Sequence, residues 1–357
     1  MAWQSLQVYT MTHDNPSTDS IFMQRALQLA ALGRGHVSPN PLVGCVIVHQ
    51  NTIIGEGWHR KYGGPHAEVN AIESVADKSL LKESTVYVTL EPCAHFGKTP
   101  PCADLLVKHH VKKVVVAILD SNPAVAGKGI QKLQDNGIEV HTGICEAEAR
   151  ALNIRFFTMM ESKRPYIILK WAQTQDGFIA RENFDSKWIS NIFSRQLVHK
   201  WRSEEDAILV GTKTALYDNP MLNVRDWSGR DPVRIVIDKQ NTLPVSHHLF
   251  DGSQPTLRYS INESKHPTAA TEVILPEQDF LQHLVNDLYN RKIQSVIVEG
   301  GCYTLQHFID LGLWDEARIF TGLKTFGTGI AAPTLQGTCI HTEMLQEDTL
   351  RLYKRIA

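Results

Sequence analysis

Gly63-Gly64-Pro65-His66-Ala67-Glu68-Val69 is the stretch that organises the chain, taken together with Glu91-Pro92-Cys93 and Cys102. These residues offer one imidazole, two thiols and one carboxylate to spare. Three borderline or soft donors suit a catalytic Zn²⁺, because they leave the fourth tetrahedral position to water. Glu68, two residues beyond His66, is free to move protons. Around this stretch the pattern alternates. Ile21 to Leu32 is apolar at helical spacing, with Asp19 or Ser20 as its cap. A turn-rich loop from Gly33 to Pro41 leads to a predicted strand, Val43 to Val48, and its hairpin partner, Thr52 to Trp58. A Gly-rich loop then delivers His66 to the first turn of a helix predicted over His66 to Val75, where backbone N–H groups favour nearby anions such as thiolate or hydroxide. The strand Thr85 to Thr89 ends at Glu91-Pro92-Cys93, and a helix starts near Cys102. Val111 to Leu119 and Glu139 to Thr142 are further strands, with a helix from Gly129 to Asn136 between them. All three ligands fall at helix starts or strand ends along one sheet edge. The alternation predicts a three-layer α/β/α domain.

Composition sets the outer bounds. At 357 residues, two domains are the better expectation. An apolar share of 43% with 21% charged residues is globular. A formal net charge of -2 and a pI of 6.8 exclude the basic footprint of a nucleic-acid binder. No run of about 18 apolar residues exists, so no membrane span is expected. Met1 to Thr18 is polar and lacks the order of a signal peptide, which makes it a loose leader. Six cysteines are too few for a disulfide framework in a chain this long. Cys45, Cys145, Cys302 and Cys339 are expected as free thiols, in keeping with a reducing cytoplasm.

The ligand set dictates the chemistry. Zn²⁺ makes hydroxide available at neutral pH, suited to attack on an amidine-like ring carbon that bears an exocyclic amine. Glu68 would take the water proton, pass it to the ring nitrogen and then protonate the leaving ammonia. The competing possibility is a closed structural site, which wants a fourth protein ligand; His95 lies between the cysteines and is available for it.

His-x-Glu followed by Pro-Cys and a second Cys resembles the signature of zinc-dependent nucleobase deaminases. There the second half is usually Pro-Cys-x-x-Cys, whereas eight residues separate Cys93 from Cys102 here, which points away from the nucleic-acid editors. Longer strings sharpen the resemblance. Ser38-Pro39-Asn40-Pro41-x-Val43-Gly44, Gly55-x-Gly57-x-His59, His66-Ala67-Glu68, Glu91-Pro92-Cys93-x-His95-x-Gly97-x-Thr99-Pro100-Pro101-Cys102 and Asp120-x-Asn122-Pro123-x-Val125-x-Gly127-x-Gly129 resemble the deaminase half of the bifunctional riboflavin-biosynthesis deaminase/reductases. By that resemblance the fold is cytidine-deaminase-like, and Asn40, His59, His95, Thr99 and Asn122 line the pyrimidine and ribose-phosphate pocket. Asn40 and Asn122 beside prolines also have a plainer use as turn formers, and His59 as a loop histidine. Ser121 stands where the family favours proline.

Glu146 to Lys163 is predicted as one bridging helix, with the domain boundary near Arg164-Pro165. The expected division is a leader over 1–18, a deaminase domain over 19–163 and a second domain over 164–357. Predicted strands follow at Tyr166 to Ala172, Ala207 to Val210, Pro232 to Asp238, Thr271 to Leu275, Ser295 to Glu299, Glu316 to Thr321 and Arg351 to Arg355. Predicted helices run from Asn191 to Ser203, Phe280 to Arg291 and Cys302 to Leu311. Beyond Leu335 only packing is expected. Strand 295–299, Gly300-Gly301 and the next helix start form a phosphate cradle, because two glycines admit an anion close to backbone N–H donors. No G-x-G-x-x-G run accompanies it, which disfavours a Rossmann domain.

Arg164-Pro165-Tyr166-x-x-Leu169-Lys170-x-Ala172-x-x-x-Asp176-Gly177, Ser186-x-Trp188-Ile189-Ser190, Asp206 to Gly211 with Thr214, Asp218-Asn219-Pro220-x-Leu222-x-Val224-Arg225 and Val298-Glu299-Gly300-Gly301 resemble the reductase half of the same family. That half looks like dihydrofolate reductase in fold and uses NADPH. The resemblance implies NADPH contacts from Ala172, Trp188, Thr214, Asp218, Gly301, Cys302, Tyr303 and Thr304. It implies substrate contacts from Ser186, Arg202, Leu222, Arg225 and Glu299, the arginines presenting a bidentate fork to a phosphate. Asp218 and Lys170 are the candidates for polarising or protonating an imine. Three departures stand out: Asn219 for an aspartate, Phe184-Asp185-Ser186 for Gly-Glu-Ser, and Lys213 for a glycine. The implied whole is a cytoplasmic homo-oligomer, dimer or tetramer, that needs Zn²⁺ and NADPH and acts on a small phosphorylated pyrimidine. Its rivals are a nucleoside or tRNA deaminase with an accessory domain, a zinc-stabilised binding protein, and a deaminase whose second half is a non-catalytic relic.

Overall fold

The structure, a computed structural model, describes residues 17–94, 100–122, 126–186 and 189–356. Two compact units emerge, one of residues 1–32, 43–59 and 64–152, the other of 33–42, 60–63 and 153–357. The first unit runs α1 (Thr18–Ala31), β1 (Gly44–His49), β2 (Thr52–Trp58), α2 (Ala67–Ser74), β3 (Thr85–Val88), α3 (Cys102–Lys108), β4 (Lys113–Val116), α4 (Lys128–Asp135), β5 (Glu139–Thr142) and α5 (Glu146–Leu152). Its sheet has the order β2-β1-β3-β4-β5, with β1 antiparallel to both neighbours and β3, β4 and β5 parallel.

Strand alternation builds the layers. Cys45, Ile47, Val86, Val88, Val114 and Val116 point to one face and pack with Ala71 and Ile72 of α2, Leu106 of α3 and Leu133 of α4. Gly44, Val46, Val48, Tyr87 and Val115 point to the other, where α1 lies so close that a Cβ on Gly44 would sit 2.0 Å from the Ala26 carbonyl oxygen. The cap of α1 is Ser17, whose Oγ accepts from the Ser20 amide at 3.2 Å, rather than Asp19 or Ser20. Asp19 has other partners: the Tyr87 hydroxyl donates to it at 2.6 Å and Lys113 pairs with it at 3.6 Å. Most of the expected leader lies outside the described residues.

In the second unit α6 (Ile154–Ser162) is followed by β6 (Tyr166–Gln173), β7 (Phe178–Ala180), α7 (Ile192–Glu204), β8 (Ala207–Gly211), α8 (Thr212–Asp218), β9 (Val233–Ile237), β10 (Thr256–Ser260), β11 (Thr271–Ile274), α9 (Phe280–Asn290), β12 (Ser295–Val298), α10 (Cys302–Asp310), β13 (Glu316–Thr321), β14 (Ile330–Ala331), β15 (Gly337–Leu345) and β16 (Asp348–Arg355). The single helix expected over 146–163 is two helices. Asn153 interrupts it, exchanging two hydrogen bonds of 2.8 Å with the Leu42 backbone, a pairing open to a side-chain amide and incompatible with a continuous helix.

The main sheet of this unit has the order β11-β10-β9-β8-β12-β6-β13-β16-β15. It is parallel from β11 to β13 and antiparallel across β16 and β15. Parallel strands must be covered on both faces. On one face Ile167, Leu169, Leu209 and Ile235 meet α9 and α10 through Leu284, Leu288, Leu305 and Phe308. On the other, Ile168, Ile297 and Phe320 meet Val198 and Trp201 of α7, while Ile208, Val210 and Val236 meet Ala215 of α8. Because β12 lies between β6 and β8, Lys170 within β6, Gly211 at the end of β8 and Glu299 just past β12 fall close in register.

Candidate functional site

His66 is the N-cap of α2, and it caps without its side chain, so the ring is free to turn elsewhere. Its Nδ1 lies 3.6 Å from Cys93 Sγ and 3.3 Å from Cys102 Sγ. Cys93 follows β3 in chain order, and Cys102 opens α3 with its amide donating to Cys93 Sγ at 3.3 Å. The three donor atoms lie within 4.8 Å of one another, and they are the metal-competent group found among the described residues. One nitrogen and two sulfurs, converging at helix starts, fit Zn²⁺. The two thiols share a hydrogen bond, which holds the Cys93 thiol well below the ordinary thiol range and pushes Cys102 up.

Glu68 occupies the first turn of α2 and is 3% exposed. Burial, aided by the neighbouring Cys93 thiolate, pushes its carboxyl up to about 7, against the pull of His66. A carboxyl in that range both accepts and releases a proton near neutrality. His59 is buried beside the cluster, its ring 5.5 Å from that of His66 in edge-to-face contact. Its Nδ1 donates to the Pro65 carbonyl at 3.0 Å, so it also fixes the turn that delivers His66. Asn122 has its amide on Asp120 Oδ1 at 2.8 Å and its carbonyl accepts from Ala126. Asn40 belongs to the 33–42 segment that groups with the second unit. His95 and Thr99 lie outside the described residues.

In the second unit an ion cluster closes the strand ends. Arg202 Nε and Nη2 donate to Glu299 Oε1 and Oε2 at 3.0 and 2.9 Å, and Lys170 Nζ lies 3.5 Å from Oε2. Burial alone would raise the Glu299 carboxyl, but the two cations hold it at about 2. Burial lowers Lys170, with Glu299 opposing. Arg202 also donates to the Asn223 carbonyl at 3.3 Å, and Arg225 to Asn223 Oδ1 at 3.2 Å, so one turn gathers both guanidiniums. Leu222 is buried just before it, and Arg225 is exposed. Asn223 was not among the expected site residues. Neither was His199, whose Nδ1 accepts the Arg225 amide at 3.4 Å. Burial, then the Arg202 and Arg225 charges, lower His199 to about 4, so it is a neutral acceptor at physiological pH. Its i,i+3 spacing from Arg202 on α7 was the available signal.

Gly301 caps α10 without a side-chain bond, leaving the first-turn N–H groups to another acceptor. A Cβ on Gly301 would come 3.3 Å from Thr214 Oγ1, and one on Gly211 would come 2.2 Å from Thr304 Oγ1. The cradle is thus lined by Thr214 and Thr304 and open only because glycine stands there, which fits a dinucleotide phosphate. Tyr303 is 80% exposed beside it, with Cys302 half-buried. Ala172 is half-buried on β6. Ser186 Oγ lies 3.5 Å from Asp218 Oδ1. Trp188 lies outside the described residues.

Two of the departures, Phe184 and Lys213, meet in space. Phe184, at φ 68°, stacks on Tyr217 with centroids 4.2 Å apart, and Lys213 Nζ lies 5.5 Å from the Phe184 ring. Asn219 is the left-handed C-cap of α8, a conformation asparagine adopts more readily than most residues, and its Oδ1 accepts the His248 amide at 2.9 Å.

Comparison with known proteins agrees with both halves. Residues 16–118 match the cytidine and deoxycytidylate deaminase zinc-binding region, and residues 165–354 match the RibD C-terminal domain. The riboflavin biosynthesis protein RibD of Aquifex aeolicus is 40% identical over 352 residues, covering 94% of this chain and 98% of its own. That of Escherichia coli is 38% identical over 329 residues, covering 87% and 89%. Among solved structures, the diaminohydroxyphosphoribosylaminopyrimidine deaminase/5-amino-6-(5-phosphoribosylamino)uracil reductase of Thermotoga maritima superposes with a TM-score of 0.88 at 37% identity, covering 95% of this chain and 99% of the other. The two domains imply Zn²⁺ for the first half and NADPH for the second. The chain belongs to the RibD family of bifunctional riboflavin-biosynthesis deaminase/reductases, with a cytidine-deaminase-like first domain and a reductase second domain.

Proposed function

We propose that residues 19–163 hydrolytically deaminate 2,5-diamino-6-(5-phosphoribosylamino)pyrimidin-4(3H)-one. Residues 164–357 would then reduce the ribosyl group of the product to ribityl, giving 5-amino-6-(5-phosphoribitylamino)uracil. The observation that carries the reading is the convergence of His66, Cys93 and Cys102 beside a buried carboxylate that ligates nothing. His66, Cys93 and Cys102 would hold Zn²⁺, which when bound would make hydroxide available at neutral pH. Glu68 would take one proton from the attacking water and deliver it to the ring nitrogen, then take the second from the new hydroxyl and give it to the departing amine, which leaves as ammonia. His59, Asn122 and Asn40, with His95 and Thr99, hold the pyrimidine and its ribose phosphate.

In the second half NADPH supplies the hydride, and the protein orients it. Gly301, Cys302, Tyr303 and Thr304 with Thr214, Ala172 and Trp188 hold the cofactor. Ser186, Leu222, Arg202, Arg225 and Glu299 hold the substrate. Of the two proton-donor candidates, Lys170 is supported by its burial against Glu299, whereas Asp218 is exposed and placed to orient Ser186. We also place the enzyme in the cytoplasm as a dimer or tetramer. All six cysteines are free thiols. Strand β15 is an open sheet edge with Ile340 47% and Met344 62% exposed, the kind of edge a second copy covers. Among the described residues no helix is long and apolar enough to cross a membrane.

The test supplies the pyrimidine substrate with and without NADPH. Ammonia release proceeds in both cases, and NADPH is consumed only after deamination. Oxidation of NADPH that precedes ammonia release would reverse the proposed order. Arg225→Ala raises the KM for the phosphorylated reductase substrate by about 10- to 100-fold, the loss of a charge-assisted hydrogen bond, and leaves the dephosphorylated form unchanged. Equal losses for the two forms would remove Arg225 from the phosphate role.

A further inference from the structure

Glu91 is a buried carboxylate, 4% exposed, that the chemistry above does not use. Among the described residues its hydrogen-bond donors are backbone amides. Oε1 accepts from the amides of Gly129 at 2.9 Å and Ile130 at 3.4 Å, and Oε2 from those of Gly127 at 3.0 Å and Asp120 at 3.4 Å. These four amides bracket the connection from β4 to α4, so one side chain fixes both ends of a loop. The start of α4 is pressed against the same segment, since a Cβ on Gly129 would lie 1.9 Å from the Pro92 carbonyl oxygen. Two residues along, Cys93 is locked to α3: its carbonyl accepts from Ala103 and its sulfur from the Cys102 amide. Glu91-Pro92-Cys93 therefore joins two things. Its third residue holds the metal cluster, and its first holds the loop on which Asn122 sits.

We infer that Glu91 is a positioning residue of the deaminase, setting the Asn122 loop at a fixed distance from the metal ligands so that the pyrimidine is bound in register with Glu68. The inference rests on the proposal that Asn122 contacts the substrate. A carboxylate suits the task because both oxygens only accept, and four amides converge on them. A glutamine would turn an NH₂ donor toward two of those amides and release one end of the loop.

The test uses full-length Glu91→Gln with metal content, hydrogen exchange and deaminase kinetics. Expected are one zinc per chain, faster exchange of one amide pair, either Gly129 with Ile130 or Asp120 with Gly127, with strands β3 and β4 still protected, and a deaminase KM raised by about tenfold or more with a much smaller change in kcat. Reduction of already deaminated substrate is unchanged. An unchanged KM overturns the inference. Loss of zinc or of strand protection also overturns it, because Glu91 then serves folding and not register. Asn122→Ala is run alongside. A silent Asn122→Ala removes the contact assigned to Asn122 and with it the inference, even where Glu91→Gln raises KM; an Asn122→Ala that raises KM while Glu91→Gln does not overturns the positioning role of Glu91 alone.

Discussion

Glu68→Gln stops ammonia release, by about three to four orders of magnitude, while the protein keeps one zinc per chain and still reduces deaminated substrate with NADPH. Each proton transfer by a positioned side chain is worth roughly 10²–10⁴-fold, and here one carboxyl serves successive transfers. The geometry makes the effect specific. Glu68 is on the first turn of α2, two residues past His66, so it is presented to the cluster without being a ligand. Its carboxyl is nearly out of water, and glutamine matches it in size, so packing is preserved while the titratable oxygen is lost. A binding protein that merely used zinc for stability would lose no activity on this substitution. Ammonia release that survives Glu68→Gln at near the original rate would remove Glu68 as the proton carrier, whatever the metal content. Loss of zinc in the same variant would instead place Glu68 in the support of the ligands.

The convergence of His66, Cys93 and Cys102 was legible because each stands at or beside the end of a predicted element. A His-x-Glu at a helix start and cysteines at two other element ends meet here because β1 and β3 are neighbours in the sheet and α2 and α3 pack on the same face. Most strands were legible for a related reason: β1, β8 and β12 are apolar runs buried on both faces. What escaped was polar sequence buried by pairing. Strand β10 is Thr256-Leu257-Arg258-Tyr259-Ser260, and every residue of it is buried. Arg258, 1% exposed, is accommodated because Asp238, just past β9, accepts from it at 2.7 Å, with Ser264 accepting at 3.2 Å and Glu272 pairing at 3.6 Å. No local pattern announces an ion pair between two strands. Strand β15 escaped for the opposite reason. It is an edge, mostly exposed, and only its partner β16 defines it. The same division holds at the reductase site. The expected Arg202 and Glu299 meet, but the joint between Arg202 and Arg225 is made by the backbone and side chain of Asn223, and the Arg225 amide rests on His199. Those roles depend on backbone path, which spacing does not encode.

Cys93→Ser abolishes stoichiometric zinc and destabilises the first unit, while NADPH binding by the second persists. The affinity loss should well exceed the roughly 10–100-fold that follows from losing an outer-shell partner, because a direct thiolate ligand is removed. Cys93 does more than ligate. Its sulfur accepts the Cys102 amide, and its carbonyl accepts that of Ala103, so the residue is where α3 is anchored to the end of β3. Without metal, His66 and the remaining thiol lose the ion that draws α2 and α3 together, and the binding free energy that contributed to folding is forfeited. Yet Cys45, Val86, Val88, Val114 and Val116 and the helices packed on them form a core that needs no metal. The unit should therefore melt several degrees lower and expose α3 to protease before the strands open, rather than lose its fold outright. Cys102→Ser gives the same zinc loss with less disturbance of α3, since the Cys93 sulfur is still there to accept the residue-102 amide, while the Ala103 bond to the residue-93 carbonyl survives in both variants. Zinc retained at one per chain in Cys93→Ser would show that the ligand set is wrong. Melting of the two cysteine variants at the same temperature would show that the metal, and not the anchoring of α3, carries the whole effect.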